Sequence, residues 1–146
     1  MPTYLPKGKS VDQVKSEITS AIKAVAPSYG ASDASDFKGL LEQTDQGYWD
    51  AISPLKHVPH VSERALPHFM VRGTEDPIVP HAMVQRYVDV LKAAGQPVRY
   101  IQVEGAGHAF FDWKLDAATR ATFARYGVKY AAEMHSFFDR VFYKGR

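Results

Sequence analysis

The stretch Leu66-Pro-His-Phe-Met-Val-Arg-Gly-Thr-Glu-Asp76 decides how the rest of the chain is read. Its apolar run, Leu66–Val71, is broken only by Pro67 and His68, and the segment ends at Gly73. A run without polar alternation suits a strand covered on both faces, as in a parallel sheet. Beyond it, Pro80 stands where a first helical turn tolerates proline. Met83, Val84, Tyr87, Val88 and Leu91 then share one helical face, and Gly95 is placed to end that helix. Val98–Val103 reads as another strand, and Glu104-Gly-Ala-Gly-His108 opens a loop. Strand, helix, strand normally makes two parallel strands joined by a right-handed crossover.

Outward from this unit the pattern stays α/β. Residues 1–9, with Pro2, Pro6 and Gly8, read as an irregular leader. Ser10 and Gln13 have the spacing of a capping box, and Val11, Val14, Ile18, Ala21 and Ile22 follow at helical intervals. Ile22–Ser28 is a short apolar strand candidate closed by Pro27 and Gly30. Residues 33–62 read as an irregular, lid-like or loop segment: a short helix around Phe37, Leu40 and Leu41, then Trp49, Ile52 and Leu55 as apolar anchors within a loop where Pro54 and Pro59 argue against a long helix. Phe123, Tyr126, Tyr130, Met134, Phe137 and Val141 recur every three or four residues, which predicts a long amphipathic C-terminal helix with Gly127 as its weak point. The expected fold is a single domain, 1–146, of about three parallel strands with flanking helices.

Composition removes several function classes. The 146 residues are 45% hydrophobic and 23% charged, an ordinary globular balance. Eighteen Lys+Arg against sixteen Asp+Glu leave a net charge of +2. Lys7, Lys9, Lys15, Lys23 and Lys38 are scattered, so no basic face for nucleic acid is expected. With no cysteine there is no disulfide framework, thiolate zinc site or cysteine nucleophile. No apolar stretch reaches the length of a membrane span, and the first residues lack the apolar core of a signal peptide, so the expected location is cytoplasmic. His57 and His60 are separated by Pro59, off any regular helix, and no metal is expected there. Phe110 stands where the third glycine of a dinucleotide-binding pattern belongs, and no cofactor is expected.

Chemistry concentrates at the carboxyl ends of parallel strands. Two loops lie there, Gly73-Thr-Glu-Asp76-Pro77 and Gly105-Ala-Gly-His108-Ala109, on the same edge of the sheet. Asp76 and His108 are therefore the candidate carboxylate–imidazole pair, the acid fixing the ring's tautomer and stabilising the imidazolium. Asp33, Asp36 and Asp112 are alternative acids. Trp49, Phe110, Phe111 and Trp113 are candidates for an apolar acyl or aryl pocket. Each has a plainer use as a turn residue or as core packing.

These residues carry a family resemblance. Ser53–Val58, Leu66–Asp76, Ile78–Pro80, Leu91–Gly95 and Glu104–His108 together resemble the C-terminal half of α/β-hydrolases. The likeness is to esterases and lipases related to the dienelactone-hydrolase and carbohydrate-esterase groups, and to prolyl-oligopeptidase-type peptidases. It implies that Asp76 and His108 are the acid and the histidine of a Ser–Asp–His triad, and that Tyr29-Gly-Ala-Ser-Asp33 is the exit turn of the sixth strand. The family's Gly-x-Ser-x-Gly elbow is absent. Ser32, in Gly30-Ala-Ser-Asp-Ala34, and Ser10, in Gly8-Lys-Ser-Val-Asp12, are the weak substitutes. Both sit where a turn or a helix cap is the ordinary use.

The resemblance thus implies a carboxylesterase-like fragment, inactive alone, whose nucleophile lies outside this sequence. It further implies an unpaired edge on the strand near 22–28, through which the chain would form a homodimer or join an N-terminal half. A non-catalytic assembly module and a prolyl-oligopeptidase-type peptidase fragment are the alternative readings. The expected ligand of the completed protein is a small-molecule ester.

Overall fold

A computed structural model describes residues 8–33 and 45–143. Along the chain lie α1 (Val11–Ala21), α2 (Gln46–Ile52), a 3-10 turn (Pro54–His57), β1 (His68–Gly73), α3 (His81–Ala93), β2 (Val98–Val103), α4 (Ala117–Thr122), a π turn (Phe123–Gly127) and α5 (Val128–Phe142). β1 and β2 pair in parallel, with His68 opposite Val98 and Gly73 opposite Val103.

All six residues of β1 are buried. Strand alternation splits them between two cores. Phe69 and Val71 pack with Val103, Ala106, Phe110, Tyr130 and Phe137 beneath α5. Met70 packs with Val79, Met83, Val84, Tyr87, Val88 and Leu91 beneath α3. The five apolar residues singled out on α3 are the five that it buries. β2 is covered less completely, because among the described residues only β1 flanks it.

The third strand is present in reduced form. Val25 and Ser28 bridge in parallel to His68 and Val71. The Val25 amide donates to the Pro67 carbonyl at 2.9 Å, the Phe69 amide to Val25 at 2.9 Å, and the Tyr29 amide to Val71 at 3.1 Å. Pro27 has no N–H to give where the ladder needs one, so regular pairing lapses between the two bridges.

Several local signals take the form their chemistry dictates. Ser10 and Gln13 make the reciprocal capping box of α1. Pro80 is the residue just before α3 rather than its first turn. Gly95, at φ +71°, turns the chain out of α3, and the Gln96 amide bonds back to the Leu91 carbonyl at 2.9 Å. The buried Gln96 side chain donates to the Pro59 and Arg64 carbonyls and accepts from the Leu66 amide, which pins the segment entering β1.

Two expectations need correction. Residues 45–57 are two short helical pieces rather than loop, with Asp45 capping α2 through the Gly47 amide at 2.9 Å. Gly127 does not break the last helix. The chain from Ala117 to Phe142 stays helical and widens by one π turn, with Phe123 packed against Gly127. The helix expected around Phe37, Leu40 and Leu41 lies outside the described residues. Among the described residues no helix is long and apolar enough to cross a membrane.

His68 gives the fold a pH dependence. Its Nδ1 meets the Leu66 carbonyl at 2.7 Å, and a carbonyl can only accept, so the proton sits on Nδ1. Nε2 then accepts from the Tyr87 hydroxyl at 3.2 Å. Burial lowers the imidazole pKa, opposed by the Leu66 bond, and the fold holds the ring neutral. The unfolded chain therefore takes up the proton first as pH falls below about 6.5. Stability is expected to be full above that pH and to decline on acidification towards pH ~5. The His68→Leu variant should show a shallower decline in its urea midpoint over the same range.

Candidate active site

The site is built where β1 and β2 end. Gly73 closes β1 against the second loop so tightly that a Cβ there would stand 2.1 Å from the Ala106 carbonyl oxygen. The contact is stitched by hydrogen bonds. The Thr74 amide donates to Val103 at 3.0 Å, the Glu75 amide to Ala106 at 3.0 Å, and the Gly105 amide to the Thr74 hydroxyl at 2.9 Å. Any displacement of one loop therefore carries the other with it.

Asp76 is held from every side. Its Oδ1 accepts the Ile78 and Val79 amides at 2.8 and 3.0 Å. Its Oδ2 lies 2.9 Å from Nδ1 of His108. Burial pushes the carboxyl pKa up, but the bonds from Val79, His108 and Ile78 outweigh it and hold the value below the ordinary range. Beneath the turn, the buried Arg72 donates Nε to the Val79 carbonyl at 2.6 Å and Nη2 to the Asp76 carbonyl at 2.9 Å. The guanidinium thus grips both ends of the turn that carries the acid.

His108 is the open member of the pair. Its side chain is 29% exposed, whereas that of Asp76 is 0% exposed. A carboxylate oxygen can only accept, so Nδ1 carries the proton of the neutral ring. Nε2 is left with a lone pair, and among the described residues nothing hydrogen-bonds it. A ring fixed in this tautomer, with its second nitrogen free, is equipped to accept a proton from a hydroxyl. Beside it lies a hollow of about 240 Å³, lined by Asp112, Lys114, Thr119 and Thr122 as well as His108. A larger hollow, about 540 Å³, opens at the other end of the sheet against Pro67, Pro97, Phe137 and Arg140, remote from both loops.

The other candidates are placed differently. Ser10 is the exposed cap of α1. Ser32 is buried, and its hydroxyl donates to the Met83 carbonyl at 3.2 Å on α3. Trp49 and Phe110 are packed into the interior at 1% and 0% exposure, which removes them from any open pocket wall. Phe111 is half-buried, and Trp113, 62% exposed, rests edge-on against Phe123. Asp33 is engaged by the Ser53 hydroxyl and by Arg86, and Asp112 accepts the Tyr29 hydroxyl. Asp36 lies outside the described residues. Nε2 of His57 faces the Asp50 and Ala51 carbonyls, and Nδ1 of His60 faces the Ser62 hydroxyl.

Comparison with known proteins follows the same outline. The sequence profile of the prolyl oligopeptidase family matches residues 29–145. Esterase LipQ of Mycobacterium tuberculosis is 29% identical over 106 residues, which covers 62% of this chain and 24% of LipQ. Native esterase 2 of Thermogutta terrifontis superposes with a TM-score of 0.61 at 18% identity, covering 99% of this chain and 51% of the esterase. The same esterase phosphorylated by paraoxon superposes with a TM-score of 0.54 at 21% identity, covering 88% of this chain and 45% of the esterase. The fold is thus that of part of an α/β-hydrolase. The chain spans about a quarter of LipQ and about half of esterase 2.

Gly73→Ala tests the stitched contact directly. The added Cβ meets backbone and cannot be accommodated by a side-chain shift, so the variant is expected to lose about 3 kcal/mol. That corresponds to a fall in Tm of roughly 6–12 °C, readable by calorimetry.

Proposed function

The chain belongs to the prolyl oligopeptidase family, and from that premise we propose that it supplies the acid and the general base of a serine hydrolase that cleaves carboxylic esters. The observation that carries this reading is the 2.9 Å contact between Asp76 and Nδ1 of His108, with Nε2 left free beside a hollow. In the proposed reaction a serine hydroxyl borne by polypeptide outside this sequence attacks the acyl carbon as Nε2 takes its proton. The imidazolium, held by the buried Asp76, then gives that proton to the leaving alcohol. Water repeats the sequence on the acyl-enzyme. The isolated chain has no Gly-x-Ser-x-Gly elbow to present the nucleophile, so its own turnover is expected to be negligible.

The family match favours a second reading, in which the leaving group is the amine of a peptide. Activity on p-nitrophenyl esters against peptidyl p-nitroanilides separates the two. An organophosphate probe tests both: paraoxon, which phosphorylates the Thermogutta esterase, should leave the isolated chain unlabelled. Mixed with an upstream half bearing the serine, the chain should restore hydrolysis and labelling of that half. His108→Ala should then lower turnover by at least 100-fold. Persisting turnover, or labelling at Ser32 or Ser10 of the isolated chain, would sink the assignment.

The partner docks, in this reading, on the outer edge of residues 24–28. Val25 and Tyr29 direct their backbone groups to β1, so Ala24, Ala26 and Ser28 direct theirs away from it. None of these three is proline, and among the described residues none has a backbone partner. Ile18 on α1 and Ile22 just after it, 57% and 43% exposed, lie on the segment that leads into this edge. Ala26→Pro removes one outward donor. It is expected to abolish co-sedimentation with the upstream half while leaving the chain's own Tm within ~2 °C. Concentration-dependent dimers of the chain alone, abolished by the same substitution, would assign the edge to a second copy instead.

A further inference from the structure

We propose that Tyr29 is a positioning residue for His108, and that with Asp112 it clamps the loop carrying the imidazole. The proposal rests on the reading of His108 as the base and adds the groups that hold it. The Tyr29 ring lies 4.9 Å from the imidazole, tilted by 56°, and meets Phe110 edge-on at 5.8 Å. Its hydroxyl donates to Oδ1 of Asp112 at 2.6 Å, the short length of a bond to a carboxylate. One side chain therefore spans the loop, with its ring against His108 and its oxygen on the residue four positions later.

The loop needs such a brace. Ala109, immediately after His108, has φ +60°, and Tyr29 has φ +44°. Among the described residues these are the two non-glycine positions with left-handed backbone, and they flank the same imidazole. Such conformations persist only where the surroundings over-determine them. Within the loop, the Asp112 amide closes onto the Ala109 carbonyl at 3.0 Å. Beyond the bonds that stitch Gly105 and Ala106 to the first loop, side chains hold it: Phe110 buried in the core, Phe111 against Phe123, His108 on Asp76, and Asp112 on Tyr29. Tyr29 is itself fixed by its amide bond to Val71, so the sheet positions the phenol and the phenol positions the loop. Burial, followed by the Asp112 carboxylate, raises the phenol's pKa far above the ordinary value, so it remains a donor through neutral and alkaline pH.

The test uses the intact chain and needs no turnover. Tyr29→Phe keeps the ring and deletes the hydroxyl. It should speed hydrogen exchange at the Asp112 amide by about tenfold or more and broaden the Nδ1–H proton resonance of His108, with the global Tm nearly unchanged. Asp112→Ala should reproduce both effects. Asp112→Asn, whose carbonyl oxygen still accepts from the phenol, should restore most of the protection. In the enzyme completed by its upstream half, Tyr29→Phe should lower kcat with KM little changed. Unchanged exchange and an unchanged ring-proton signal in Tyr29→Phe would overturn the clamp. So would losses matched by an equal fall in global stability, because the tyrosine would then be ordinary packing. If His108→Ala leaves turnover intact while Tyr29→Phe still frees the loop, the hydrolase reading fails and the clamp stands.

Discussion

Beyond the ends of β1 and β2, two loops touch backbone to backbone, and the arrangement of the site depends on that contact. A side chain at Gly73 would force the loops apart, and with them Asp76 and His108. Three hydrogen bonds between the loops convert the close approach into a fixed geometry. The acid is then saturated by two amides and the imidazole, over a guanidinium that holds its turn from below. A buried carboxylate without these partners would cost several kcal/mol, so each donor has a thermodynamic reason to be there.

The pair is asymmetric in a way that matters for chemistry. Asp76 is sealed from solvent, which keeps its interaction with the ring strong and unscreened. His108 faces outward with one nitrogen committed and the other free. The layering produces this asymmetry. β1 is covered by α3 on one face and α5 on the other, so the turn that leaves it begins in the interior. β2 has an exposed flank, so the loop that leaves it reaches the surface.

Much of this was legible from residue order. The unit from β1 through α3 to β2 was readable because burial on both faces leaves an apolar run without polar alternation, and because one helical face must be apolar to cover it. Asp76 and His108 were placed together by topology alone, since consecutive parallel strands end on one edge. The capping box of Ser10 and Gln13 was equally local and equally legible. The aromatic residues were not. Trp49 and Phe110 are large apolar rings near loops, and nothing local distinguishes a ring that walls a pocket from one that fills the core beneath it. The roles of Arg72, Gln96 and Tyr29 also escaped notice, the last two because they act through partners supplied by chain that folds back on them: Gln96 on residues 59–66, Tyr29 on a residue 83 positions away. Arg72 is nearer in sequence to its partners, yet a charged residue inside an apolar strand gives no sign of which carbonyls it will face.

The sequence by itself determined the alternation of strands and helices, the edge on which chemistry collects, and the two side chains that meet there. These follow from periodicity and from the parallel geometry of a crossover, which act over a few residues at a time. Tertiary structure decided the tautomers of His68 and His108, the burial of the Asp76 carboxylate beside the exposure of the His108 imidazole, and the interruption of the third strand at Pro27. It also decided which aromatic groups were spent in the core and which one was left beside His108. Those outcomes depend on which distant groups share a surface, and hydrogen bonding and close packing settle that only when the chain has closed on itself.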